Sequence, residues 1–171
     1  MNSSRRIALT LLMVATLSAC GFQLRGSRAD SRMPFNSVYL IVAARTPLER
    51  DLRSTILAQE GVIITADAKS ADVTIRVISA TEEKKILTLN AQGQVREYSL
   101  IYRLNFDVKD KAGKIMLAPT ELALQTFMSF SESQALAKET EEKMVFNDLR
   151  GDAVSQIVRR LARLKPEDAE K

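Results

Sequence analysis

Histidine and tryptophan are absent from this 171-residue chain, and cysteine occurs once, at position 20. Without histidine the chain lacks both the commonest general base and the commonest neutral metal ligand, which argues against an enzyme. No cofactor is expected. A single cysteine excludes a disulfide within the chain. Charge of one sign is lacking too. The net charge of +4 falls to +2, 23 basic against 21 acidic residues, once Arg5 and Arg6 are set aside with the leader described below. Nucleic-acid binding normally shows as a strongly basic domain with clustered lysine and arginine, so this balance gives it no support. Glycine is sparse. Gly21 and Gly26 have the spacing of a phosphate-binding pair, but Ser27 stands where that loop needs lysine and no strand precedes it.

What is present begins at the amino terminus. Arg5 and Arg6 precede an apolar run from Ile7 to Leu17, followed by Ser18, Ala19, Cys20 and Gly21. This is the plan of a secretory signal: basic, apolar, then small residues at the cleavage point. The run is shorter than the about 20 residues a membrane helix needs, and the charged sequence after Gly26 offers no continuation. Leu17-Ser18-Ala19-Cys20 resembles the lipobox of bacterial lipoproteins. That resemblance implies cleavage before Cys20, acylation there, and a mature chain of 152 residues. Two or more acyl chains anchor stably where one holds only marginally. Gly21 in place of aspartate after the cysteine implies, by analogy with enterobacterial sorting, the outer membrane.

Residues 20–36 read as a tether, mixing Gly26, Ser27, Ser31 and Pro34 with Arg25, Arg28 and Arg32. Ser37 to Ala43 is a β-branched and aromatic run of strand length. Thr46-Pro47-Leu48-Glu49 then opens a helix: Thr46 as cap, Pro47 in the first turn, Glu49 completing a capping box. Leu48, Leu52 and Ile56 form its apolar stripe, and Gly61 its left-handed stop. Val73, Ile75 and Val77 alternate as a strand. Glu82-Glu83-Lys84-Lys85 reads as a solvated strand end and not an acid/base pair, because neighbouring strand residues face opposite sides. Asn90 to Gly93 marks a turn.

Tyr98, Leu100, Tyr102, Leu104, Phe106 and Val108 then occupy every second position, with a mostly wet face between them. After a turn at Lys109 to Lys114 comes a second long strand, in which Pro119 implies an edge or bulge near the hairpin tip. Phe127 and Ile101 lie on the polar face, either as ordinary exposed residues or as part of a partner-facing surface. Ser131 or Ser133 caps a final helix expected to reach Leu164. Its stripe runs Val145, Leu149, Ala153, Ile157, Leu161, Leu164, widened by Val154 and Val158, and Gly151 suggests a break or kink. Arg159, Arg160, Arg163 and Lys165 suit the negative end of the helix dipole, with a lipid-phosphate site as the alternative. The order β-α-β-β-β-α predicts an α/β two-layer sandwich: two helices on one face of a four-stranded mixed sheet, over 37–165, with a tail at 166–171.

Together these pieces resemble the LptE (RlpB) family of lipopolysaccharide-assembly lipoproteins. The carriers are Cys20 to Arg25, Pro47-Leu48, Gly61-Val62, Gly93-Gln94 with Glu97-Tyr98, Phe127 with Ser129-Phe130, Ala135-Leu136-Ala137-Lys138, and Arg159-Arg160-Leu161. The resemblance implies a plug and assembly partner inside the LptD β-barrel, and direct lipopolysaccharide binding by basic residues at one end of the sheet. Lys138 lies in the matching Ala-Leu-Ala-Lys block. The turn before Gly93, where the family pattern has a basic residue, reads Asn90-Ala91-Gln92, with Arg96 as a substitute. Lys138, Arg96 and Gln92 are therefore the expected contacts. The alternatives are an accessory lipoprotein of another lipid-transport system, and an envelope hydrolase using Ser129, Ser131 or Ser133 with Lys138.

Overall fold

The computed structural model describes residues 33–164, so the leader at 1–19, Cys20, most of the tether and the tail lie outside it. The described residues form five strands and two α-helices: β1 (Ser37–Ile41), α1 (Pro47–Leu57), β2 (Ile63–Ile64), β3 (Val73–Leu89), β4 (Val95–Asp110), β5 (Ile115–Ser129) and α2 (Ala135–Leu161). Short 3-10 turns occupy Ala68–Ser70 and Glu132–Gln134. The sheet order is β2-β1-β3-β4-β5. β1 runs parallel to β2 and β3, whereas β3, β4 and β5 form an antiparallel meander. The expected two-layer α/β architecture is therefore present, with five strands instead of four. The extra strand is Ile63–Ile64, two residues long, too short to carry an alternation.

Local chemistry builds α1 as read. Thr46 Oγ1 accepts from the Glu49 amide at 3.2 Å, and Leu48, Leu52 and Ile56 are buried. Glu49 returns the bond to the Arg45 amide at 2.6 Å, one residue before the cap. Gly61 has φ 78°, but it is not the helix stop expected: α1 ends at Leu57 with Ala58 as a right-handed cap, and the glycine serves the turn into β2. Tyr98, Leu100, Tyr102, Leu104, Phe106 and Val108 face the helices and, with Val38, Ile75, Leu122, Met128 and Ile157, form one core. Met33 and Phe35 belong to it as well. The tether expected over 20–36 is thus cut short at its end: two apolar side chains enter the core ahead of β1, because burying them removes apolar surface from water.

Three other expectations change. Glu82 to Lys85 is no strand end, since β3 continues to Leu89 and all four residues pair with β4. The charges persist there because each finds a partner: Glu82 with Arg150, Glu83 with Arg103, Lys84 with Glu142, Lys85 with Glu83. The reverse face of β4 is not mostly wet, since Ser99, Ile101 and Asp107 are buried. β4 is central, and side chains from β3 and β5 close over it: Arg76 on Asp107, Gln125 on Ser99 at 2.8 Å, and Arg103 between Glu83 and Glu121. Finally, α2 begins at Ala135 without a side-chain cap and runs unbroken through Gly151 to Leu161. Ser131 and Ser133 instead bond each other at 2.9 Å. Gly151 is tolerated because Leu149, Ala153 and Val154 around it are packed in the core, and tertiary burial outweighs about 1 kcal/mol of propensity.

Candidate lipid-facing site at the hairpin end

The far end of the sheet brings together the tip between β3 and β4 and the junction between β5 and α2. Asn90 organises the tip. Its side-chain oxygen accepts from the amides of Gln92 (3.0 Å) and Gln94 (2.9 Å), and Gly93 takes φ 78°. Gln94 reaches across to Glu132 at 3.4 Å, and the Phe130 amide donates to the Arg96 carbonyl at 2.7 Å. Gln92, Arg96 and Lys138, far apart in sequence, are therefore carried by elements that meet at one end of the fold. Gln92 and Arg96 are exposed, and Arg96 has no ion-pair partner among the described residues.

Lys138 is not a free surface cation. Its ammonium donates to Glu141 at 2.8 Å and to Ser129 Oγ at 3.1 Å, and the side chain is 13% exposed. This arrangement bears on the serine–lysine alternative. Ser129 is within reach, but an ammonium engaged by a carboxylate donates to the serine and offers no lone pair to take its proton. Ser131 and Ser133 are turned toward each other. The described residues hold no cluster of carboxylates suited to a metal ion.

Sequence reading overlooked Lys84. It pairs with Glu142 and sits 4.2 Å from the centroid of the Tyr98 ring, which meets Phe130 edge-on at 5.3 Å. The signal was present in the cross-strand register, which continues β3 past Glu82, but the mixed charges concealed it. Around this end, Ile86, Leu87, Leu89, Phe127 and Leu136 are exposed large apolar side chains, Leu136 at 81%. The arrangement combines cations held by glutamates with an uncovered apolar surface. That chemistry suits an amphiphile with anionic groups. At the other end of α2, Arg159 and Arg160 lie in the last turn as expected, without ion pairs among the described residues.

No helix among the described residues is long and apolar enough to cross a membrane. The family model for lipopolysaccharide-assembly, LptE, matches residues 34–161. The chain is 29% identical over 160 residues to the LPS-assembly lipoprotein LptE of Pectobacterium atrosepticum, covering 88% of this chain and 80% of that one. Against LPS-assembly lipoprotein LptE of Yersinia pestis it is 29% identical over 166 residues, with 92% and 76% covered. Lipoprotein B from Nitrosomonas europaea has a similar solved structure, with TM-score 0.71, 33% identity, and 83% and 90% of the two chains covered. Rare lipoprotein B from Shewanella oneidensis aligns with TM-score 0.67 and 25% identity, over 74% of this chain and 94% of that one. A family match spanning nearly the whole described domain, with relatives similar in sequence and solved structures similar in fold, shows that the chain belongs to the LptE lipopolysaccharide-assembly family.

Proposed function

We propose that the protein is a non-catalytic outer-membrane lipoprotein, acylated at Cys20, that binds lipopolysaccharide and serves as plug and assembly partner of an LptD-type β-barrel. Delivery of lipopolysaccharide to the outer leaflet is the task this pairing serves. The observation that carries the reading is the hairpin end, which joins Lys138, Arg96 and Gln92 beside exposed apolar side chains in a chain of this family. A lipid phosphate recruits Arg96 directly, and recruits Lys138 by competing with Glu141 for its ammonium, a charge-assisted contact in either case. The proposed acylation at Cys20 fits the same reading, because it would hold the domain at the membrane where a barrel and its lipid meet.

Affinity isolation of the tagged protein from outer membranes tests the partnership. A large β-barrel protein recovered at fixed stoichiometry is the expected result, and a lone monomer overturns it. Lipopolysaccharide binding by the Lys138→Ala, Arg96→Ala double variant tests the contacts, with a loss of at least ten-fold expected.

A further inference from the structure

Large apolar side chains are also exposed at the end of the domain opposite the hairpin tip. Leu57, Ile63 and Ile115 are 52%, 62% and 54% exposed there. Topology brings them together. Ser37 pairs with Ile63 and Val38 with Val73, so β1, β2 and β3 all start at this end. α1 returns from the far end of β1 and finishes at Leu57, ahead of β2. β4 arrives antiparallel, Asp110 against Val73, and turns into Ile115. The chain itself enters the fold here, since Met33 and Phe35 are buried just ahead of β1.

Cations gather at the same end. Lys109, Lys111 and Lys114 flank the turn between β4 and β5, and Lys69 lies in the short turn at Ala68–Ser70, ahead of β3. α2 adds three more. It starts beside Ser129, which Lys138 reaches, and passes Asp51 and Glu82 at Arg150. Its last turn therefore carries Arg159 and Arg160, with Arg163 just beyond, toward the end where β4 stops. None of these seven cations has an ion-pair partner among the described residues. The carboxylates here are engaged by backbone amides instead: Asp67 by Lys69 and Ser70, Asp72 by Asn36 and Ser37, Asp110 by Lys114. With Glu60 they number four, so positive charge is in excess.

Basic residues beside exposed isoleucines form the pattern of interfacial membrane binding, in which cations meet anionic headgroups and apolar side chains enter the layer beneath. The length of the preceding chain favours the same occupant. Met33 follows Cys20 by 13 residues, a reach of at most about 45 Å. A bilayer holding an acylated Cys20 is thus always near this end, at high effective concentration.

We propose that this end of the domain docks on an anionic phospholipid bilayer surface. Lys111, Lys114, Arg159 and Arg163 meet headgroup phosphates, and Ile63 and Ile115 enter the headgroup layer. β4 has 16 residues, which set the hairpin end about 50 Å away along the sheet. The two ends therefore do not touch the same surface. The proposal rests on the reading above only in that the bilayer is the one holding Cys20; the contact itself needs neither acylation nor barrel.

The test uses the chain from residue 20 to 171 carrying Cys20→Ser, with vesicles of phosphatidylcholine alone or mixed with phosphatidylglycerol. The chain has no tryptophan, so one introduced indole reports where the bilayer lies. Emission of Ile115→Trp should shift to the blue with the anionic vesicles only, and that of Leu136→Trp with neither. Lys111→Gln, Arg159→Gln and Arg163→Gln combined should weaken cosedimentation at least thirty-fold, from about five-fold for each charge near such a surface. Arg50→Gln, Lys85→Gln and Lys143→Gln combined give the same net charge and should bind as the parent does. Thermal melting checks that both remain folded, and the two tryptophan variants carry the test if either does not. A blue shift at Leu136→Trp in place of Ile115→Trp, equal binding to neutral vesicles, or equal loss in the two triple variants overturns the proposal. The mass of the natively extracted protein reports acylation separately, so a missing anchor and a failed docking are told apart.

Discussion

Arg150 Nε donates to Asp51 Oδ2 over 2.7 Å, joining α2 to α1 across 99 residues of chain. The Arg150 side chain is 11% exposed and that of Asp51 about a third, so the pair is partly shielded from solvent. Both helices cover the same sheet face, and this bond fixes their relative placement as apolar contacts alone do not.

Arg150→Met should therefore destabilise the domain by about 1–2 kcal/mol, less than the 3–5 kcal/mol of a fully buried broken pair because Asp51 remains partly solvated. Urea unfolding measures it. A double-mutant cycle with Asp51→Asn should return a coupling energy above 0.5 kcal/mol, on the order expected for contacting residues.

Lys138 is held by Glu141, so the two substitutions should have opposite effects on anionic lipid. Glu141→Gln should release the ammonium and strengthen lipopolysaccharide binding about three-fold, whereas Lys138→Ala should weaken it. Both differences should shrink as salt is raised, because exposed charges are screened over about 8 Å at physiological ionic strength. Equal binding by the two variants at low salt would remove Lys138 from the site.

Phe35 sits in the core ahead of β1. Phe35→Ala should cost about 2–4 kcal/mol, at the lower edge of phenylalanine truncations because the ring packs at the rim. A chain beginning at Ser37 should melt well below one beginning at Arg32. Differential scanning calorimetry on the two lengths reads this directly.

Asp72 accepts from the amides of Asn36 and Ser37 at 3.0 and 2.9 Å, and hydrogen bonding from Ser37 is the leading cause that holds its carboxyl below the usual range. A depressed carboxyl contributes stability above its unfolded pKa, and that contribution is lost as pH falls through the lower folded value. The group is largely exposed, so solvent screening keeps the contribution under about 1 kcal/mol. Asp72→Asn should accordingly flatten the fall in urea midpoint below pH 4 and leave the slope between pH 6 and 8 unchanged.

Gly93 adopts φ 78° with nothing within 4 Å of where a Cβ would stand. Gly93→Ala should thus cost about 1 kcal/mol, from backbone conformation alone and not from a clash. Hydrogen exchange at Asn90 to Gln94 should rise if the tip loosens with it.

Much of this protein is legible without coordinates where one residue's neighbours in sequence decide its state. The expectation of a leader and of acylation at Cys20 rests on a local pattern, Arg5-Arg6, the apolar run and Leu17 to Cys20. The α1 cap is the work of Thr46, Pro47 and Glu49, three residues within one turn, and the alternation from Tyr98 to Val108 marks the core face of β4 by period alone. The candidate contacts at Lys138, Arg96 and Gln92 came from family resemblance and not from periodicity.

The tertiary structure decided whatever depends on partners distant in sequence. Ser99 and Asp107 look solvated along β4, yet side chains from both neighbouring strands bury them. Lys84 looks like surface charge until α2 places Glu142 above it and Tyr98 lies within reach. Met33 and Phe35 look like tether until the core accepts them. Gly151 is a poor helix residue that packing overrides. Periodicity records the face that water avoids, because burial repeats along the chain with the geometry of helix or strand. It carries no record of which distant charge or hydroxyl will stand opposite, since that is settled when the layers close.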